Sequence, residues 1–268
     1  MKKGKILSVL LALVMVVSLI TPATAKAAES NNRVTKMVSE MSLRDKVTQM
    51  MMVDFRYWDE DLNDGVEKVG FEVMNDQIRK VVEDYNFGAF IYFAQNLTGT
   101  EQAYNLTMEM QAAATKDGGI PMLISCDQEG GNVYRLGTGT ALPGNMALGA
   151  AGDVKYAEAA GKIIGSELAA LGINTTLAPV VDVNNNANNP VIGLRSYGDD
   201  ATAVGTLASA TIKGLAANNV IGCAKHFPGH GDTATDSHYG LPMVDKSLDV
   251  LKECELKPYE VAIEQGIE

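Results

Sequence analysis

Five short runs of nearly continuous apolar residues punctuate the chain: Gln49–Phe55, Phe87–Phe93, Ile120–Cys126, Ile173–Val183 and Val220–Phe227. Runs of this length without alternation predict parallel strands covered on both faces. Between them the spacing turns helical. Residues 72–85 place Val73, Ile78, Val81 and Val82 on one side, and residues 100–115, 153–171 and 201–217 carry Ala, Met and Leu at helical intervals. Ser42 and Asp45 form a candidate capping box ahead of Val47, and Gly172 stands where a helix over 153–171 needs its C-terminal cap. The alternation of strand and helix predicts an α/β fold with a parallel sheet.

Two architectures satisfy that order, a doubly wound open sheet and a (β/α)8 TIM-type barrel. No G-x-G-x-x-G follows the first run, which weakens the dinucleotide-binding form of the open sheet. A barrel takes about 250 residues for its eight units. Here the connections Arg56–Gly70 and Asn184–Tyr197 are long, so the chain is expected to hold a barrel truncated after about five β/α units.

The N-terminus has a different pattern. Lys2, Lys3 and Lys5 precede an apolar run from Ile6 to Ile20, followed by Pro22 and the small-residue exit Ala25-Lys26-Ala27. This predicts a secretory signal peptide over residues 1–27, with one domain over 28–268. The run is shorter than the ~20 residues that span a bilayer, and no later segment is apolar enough to do so, so no membrane association is expected after cleavage. The protein is expected to be secreted or cell-wall associated in a bacterium. Its formal net charge is −11, which disfavours nucleic acid as a partner. The cysteines, Cys126, Cys223 and Cys254, have neither zinc-knuckle nor C-x-x-C spacing. Cys126 and Cys223 lie in apolar runs and are expected to be buried core residues.

Polar residues gather where the predicted strands end. Asp127-Gln128-Glu129 follows the third run, Asp182 closes the fourth and Lys225-His226 closes the fifth. Barrel active sites are built at those ends. Residues 225–242, KHFPGHGDTATDSHYGLP, contain all three histidines, with Asp232 and Asp236 among them and glycines and prolines that make the stretch a loop. Three chemistries fit it. The first is a solvated loop with no chemistry. The second is a metal site, for which the ligand types are right and the H-x3-H-x7-H spacing is not. The third is an acid/base dyad, in which the Asp236 carboxylate orients the His238 ring so that its far nitrogen moves a proton.

The segment KHFPGHGDTATDSH resembles the signature of family 3 glycoside hydrolases, in the branch of bacterial β-N-acetylhexosaminidases. MSLRDKVTQMMMV at 41–53, DQEGGNVYRL at 127–136 and LAPVVDVNNNANNPVIGLRSYGDD at 177–200 are similar to other segments of that family. The resemblance implies a barrel catalytic domain and the retaining hydrolysis of terminal β-linked N-acetylglucosamine. It implies His238 and Asp236 as the catalytic acid/base pair and Asp127, Arg135, Arg195, Lys225 and His226 as sugar-binding residues. It implies no cofactor or metal, and a partner that is an N-acetylglucosamine-containing oligosaccharide or muropeptide. Asn132 stands where many relatives carry Arg. The family's nucleophile is an Asp on a later strand, so it is expected to be missing from this chain. A structural ion pair between Arg195 and Asp127 is the alternative to their binding sugar. A metal-dependent barrel hydrolase and a non-catalytic sugar-binding protein are the competing functions.

Overall fold

The computed structural model describes residues 32–58 and 68–267; the expected signal peptide lies outside them. The chain divides after Gln49 into two units. In the first, residues 32–40 (α1) and Leu43–Gln49 (α2) are helical. The capping box at α2 forms as read, with the Ser42 backbone N–H donating to Asp45 Oδ2 at 3.0 Å and the Asp45 N–H donating to Ser42 Oγ at 3.2 Å.

The second unit is a five-stranded parallel sheet. Its strands are β1 (Met52–Val53), β2 (Ala89–Tyr92), β3 (Leu123–Cys126), β4 (Thr175–Thr176) and β5 (Ile221–Gly222). Each pairs with its predecessor, in the order β1-β2-β3-β4-β5. A doubly wound sheet reverses its strand order at a switch point; this one never does. Such winding is that of a TIM-type barrel, and the described residues hold five of its β/α units. The crossovers are α3 (Asp76–Tyr85), α4 (Thr100–Ala114), α5 (Asn145–Ala151) with α6 (Val154–Ala170), and α7 (Ala201–Ala216); α8 (Leu248–Glu253) and α9 (Lys257–Glu264) follow β5.

The helices start and stop where local chemistry directs. Asn75 caps α3 by accepting from the Ile78 N–H at 2.8 Å, and Asp200 caps α7 by accepting from Ala203 at 2.7 Å. Gly172, at φ +73°, ends α6 in a Schellman arrangement: its N–H donates to Ala169 O and that of Ile173 to Leu168 O, both at 3.0 Å. In α3, Ile78 and Val82 are buried and Val81 packs beside them, but Val73 precedes the helix and is exposed, contrary to the expected stripe.

Both-face burial, expected of every strand, holds only in part. Phe90, Tyr92, Ile124 and Cys126 pack with Ile78, Val82, Leu106 and Met110 in the main core beneath the helices. On the opposite face Met52, Leu123 and Ile221 are exposed. Cys223 follows Ile221 on that face by the two-residue period of a strand and is exposed as well, which corrects its expected burial; Cys126 is buried as expected, and all three thiols are free. Burial pushes the Cys126 thiol up to about 12. Among the described residues no helix is long and apolar enough to cross a membrane.

Helices α6 and α7 meet through small residues. A Cβ on Gly161 would stand 2.2 Å from Thr211 O, and one on Gly214 would stand 2.2 Å from Glu158 O. Backbone approaching backbone leaves no side chain to give way. Gly161→Ala is expected to lower stability by about 2 kcal/mol, the scale of an overpacked core, seen as a lower urea midpoint with an unchanged slope.

Candidate active site

The polar residues noted at the strand ends converge. Asp127 directly follows β3, and Gly130 and Gly131, both at positive φ, turn the chain sharply behind it. Gln128 is buried there, and its Oε1 accepts from the backbone N–H groups of Arg135 at 2.8 Å and Leu136 at 3.2 Å, which sets Arg135 beside Asp127. Beyond β4 and β5 the chains stay parallel. Thr176 faces Gly222 and Val180 faces Lys225, so residues 177–179 lie opposite residues 223–224. This one-residue bulge delivers Lys225 and Asp182 together at the sheet's C-terminal edge.

The Lys225 ammonium sits 2.7 Å from Asp127 Oδ1 and 2.7 Å from Glu129 Oε1. Arg195 grips Glu129 with two bonds, Nε to Oε2 at 2.9 Å and Nη2 to Oε1 at 2.8 Å. Arg135 Nη2 donates to Asp127 Oδ2 at 3.1 Å. Arg195 Nη2 also lies 3.3 Å from His226 Nε2. A guanidinium only donates, so Nε2 accepts, and the Nδ1 proton goes to Asp182 Oδ2 at 2.6 Å. Of the expected sugar-binding residues, Asp127, Arg135, Arg195, Lys225 and His226 thus all belong to one network.

The pairing differs from the sequence-based alternative. Arg195 bonds to Glu129, and Asp127 to Lys225 and Arg135, so the Arg195–Asp127 pair does not form. Glu129 and Asp182, expected only as strand-end residues, belong to the network as well. The available signal is their position: an acid shortly after an apolar run and followed by two glycines, as Glu129 is, or one at the close of such a run, as Asp182 is. Burial raises the Asp127 carboxyl, and Lys225 and Arg135 outweigh it and hold it below the ordinary value. Glu129 behaves likewise, with burial opposed by Arg195 and Lys225.

The signature loop lies over this floor. Asp182 Oδ1 accepts from the His230 N–H at 2.7 Å. The Thr233 hydroxyl donates to His230 O, so its oxygen accepts from His230 Nδ1, and His230 Nε2 is left to accept from Ser237 Oγ at 3.2 Å. Asn189 Nδ2 donates to the carbonyls of His230 and Gly231 at 2.8 and 3.0 Å. A Cβ on Gly231 would stand 1.7 Å from Val183 O, so only glycine lets the loop approach the chain beyond β4 this closely. Asp236 and His238 meet: Asp236 Oδ1 accepts from the backbone N–H of His238 at 2.9 Å and from its ring Nδ1 at 2.7 Å. Those two bonds, backbone first, lower the Asp236 carboxyl below its ordinary value. The His238 ring is exposed, with Nε2 as its remaining nitrogen. The three imidazoles bond to different partners, and among the described residues no group of three or more His, Cys, Asp or Glu side chains is placed to hold a metal ion.

Residues 42–268 match the glycosyl hydrolase family 3 N terminal domain. The chain belongs to glycoside hydrolase family 3. It is 38% identical over 251 residues to β-hexosaminidase A of Pseudoalteromonas piscicida, covering 90% of this chain and 40% of the relative. The family 3 β-N-acetylglucosaminidase of Paenibacillus sp. str. FPU-7 superposes with a TM-score of 0.76 at 45% identity, over 85% of this chain and 41% of that one. NagZ from Neisseria gonorrhoeae, solved in complex with N-trifluoroacetyl-D-glucosamine, superposes with a TM-score of 0.70 at 32% identity, over 81% of this chain and 61% of that one. The family 3 chain therefore spans about half the length, or less, of the curated relatives it matches, with 40% and 51% of two of them covered.

A group whose folded-state carboxyl is depressed stabilises fully above its unfolded value and loses that contribution as pH falls through the folded value. For Asp127 and Glu129 this places the loss below about pH 4, the ordinary carboxylate range. Glu129→Gln, which leaves Arg195 and Lys225 short of one buried partner, is expected to cost about 3 kcal/mol near neutral pH. Urea midpoints measured from pH 6 to pH 3 should fall less steeply for this variant than for the parent.

Proposed function

We propose that the full-length protein is a retaining β-N-acetylhexosaminidase that releases terminal β-linked N-acetylglucosamine from cell-wall fragments or chitin-derived oligosaccharides, with His238 as its acid/base. The observation that carries this reading is the bonding of His238 to Asp236, which occupies Nδ1 and leaves Nε2 for proton transfer. The names of the relatives support the substrate class. The activity of the Paenibacillus protein is β-N-acetylglucosaminidase, and the Neisseria protein was solved with an N-acylated glucosamine.

In this reading the ion-paired floor holds the terminal sugar. Each oxygen of Asp127 is engaged by one cation, and a carboxylate oxygen has lone pairs left to accept from sugar hydroxyls. Lys225, Arg195 and Arg135 donate to hydroxyl or acetamido oxygens, and His226 completes the edge beside Arg195. Protonated Nε2 of His238 gives its proton to the bridging oxygen as the bond from that oxygen to the anomeric carbon breaks. A carboxylate attacks the anomeric carbon, and water then displaces it while returning a proton to Nε2. The floor carboxylates Asp127, Glu129 and Asp182 are each held by cations or hydrogen bonds. By the resemblance to family 3 the attacking carboxylate is an Asp on a strand later than β5, and none of these three is assigned to that role. The basic, apolar and small-residue pattern of residues 1–27 supports export before the enzyme meets such glycans.

His238→Ala in the full-length protein is expected to lower turnover of a nitrophenyl N-acetylglucosaminide by roughly 10²-fold or more while N-acetylglucosamine still binds, as read by calorimetry. Unchanged turnover would remove the dyad from the mechanism, and a parent that binds the sugar without hydrolysing it would point to a sugar-binding protein. With the attacking Asp on a strand later than β5, residues 28–268 expressed alone are expected to release no measurable nitrophenol.

A further inference from the structure

A second ion-paired cluster lies beside the signature loop, outside the residues that face the sugar. The Lys246 ammonium bridges two carboxylates, Asp232 Oδ2 at 2.6 Å and Glu255 Oε1 at 2.5 Å. Asp232 belongs to the loop. Glu255 lies between α8 and α9 and is only 3% exposed. Its Oε1 also accepts from Asn185 Nδ2 at 3.0 Å, on the chain beyond β4, and its Oε2 is buried without a hydrogen-bond partner. Gly229 rests on the Glu255 stem, where a Cβ would stand 2.6 Å from Glu255 Cβ. Burial alone lowers the Lys246 amine, but Asp232 and Glu255 outweigh it and hold it charged.

A buried carboxylate is costly unless it is paired, and this one is paired at the junction of three segments: the start of the loop, the chain after β4 and the α8–α9 corner. The tie continues along the loop. Thr233, next to Asp232, holds the His230 ring, and His230 holds Ser237, which stands between Asp236 and His238. We propose that Lys246, seated on Glu255, is a positioning residue for the acid/base turn. It touches neither sugar nor dyad and acts by fixing the limb of the loop from which Asp236 and His238 rise. The inference rests on the acid/base reading of that dyad and extends it to residues outside the signature segment.

A positioning role predicts a selective defect. Loosening the loop misplaces the proton donor and leaves the sugar floor intact, so substrates whose departing group needs a proton suffer most. In the full-length protein, Lys246→Met is compared with the parent on N-acetylglucosaminides carrying dinitrophenyl, nitrophenyl and sugar leaving groups. kcat/KM for the sugar leaving group is expected to fall at least about tenfold, part of the roughly 10²–10⁴-fold that acid–base transfer contributes. For the dinitrophenyl substrate a change under about threefold is expected, since its departure needs little protonation. Inhibition by N-acetylglucosamine should stay unchanged. Asp232→Asn unties the loop while leaving Lys246 on Glu255, and carries the same test if Lys246→Met does not fold. An equal loss across the three leaving groups, or no loss at all, overturns the positioning role. A parent inactive on all three removes the acid/base reading, and the inference with it; an active parent with a uniform loss in the variants removes the inference alone.

Discussion

One ammonium ties the mouth of this sheet together. Lys225 arrives from β5 and meets Asp127 and Glu129, which both leave β3, so a strand end two places away in the sheet is fixed by charge across the gap. Burying any one of these groups alone would cost several kcal/mol. With Arg135 on Asp127 and Arg195 on Glu129, each carboxylate meets two cations. The bulge opposite residues 223–224 matters for the same reason. Without the extra residue on the β4 side, Lys225 and Asp182 would not emerge from the sheet together.

From that floor, order passes outward through hydrogen bonds, with little hydrophobic packing. Asp182 accepts one hydrogen bond from the His226 ring and another from the His230 backbone, so a single carboxylate joins the ion-paired cluster to the start of the loop. The long connection after β4 serves as a cradle: Asn185 reaches the α8–α9 corner and Asn189 reaches the loop carbonyls. Backbone groups in a glycine-rich loop need partners from somewhere, and here asparagine side chains supply them. Asn185, Asn186 and Asn189 of this connection are therefore structural.

Much of this arrangement is legible in the residues alone. Five apolar runs become five strands in the same places, although each shrinks to between two and four residues, because the pairing that defines a strand is shorter than the buried run around it. Local signals hold well: Ser42 with Asp45, and Gly172, act as their chemistry directs. What sequence cannot supply is which partner a charge will choose. Arg195 and Asp127 are a reasonable pair on paper, yet the turn at Gly130 and Gly131 brings Glu129 to Arg195 and leaves Asp127 to Lys225 and Arg135. Glu255 was hidden for a similar reason. In sequence it is one acid among several, beside Glu253 and Glu260; the break between α8 and α9 turns it inward. Val73 and Cys223 were misplaced because periodicity tells which positions share a side, not whether that side is covered.

The bonding of Asp236 to His238 has a further consequence. One carboxylate oxygen receives both the backbone N–H and the ring of a residue only two positions away. The imidazole is thus oriented by its own turn and not by the floor beneath it. Any displacement of that turn carries imidazole and orienting carboxylate together as a single cassette, so reach and aim are separable properties: the loop sets how far the ring extends, and the Asp-Ser-His tripeptide sets which way its remaining nitrogen points.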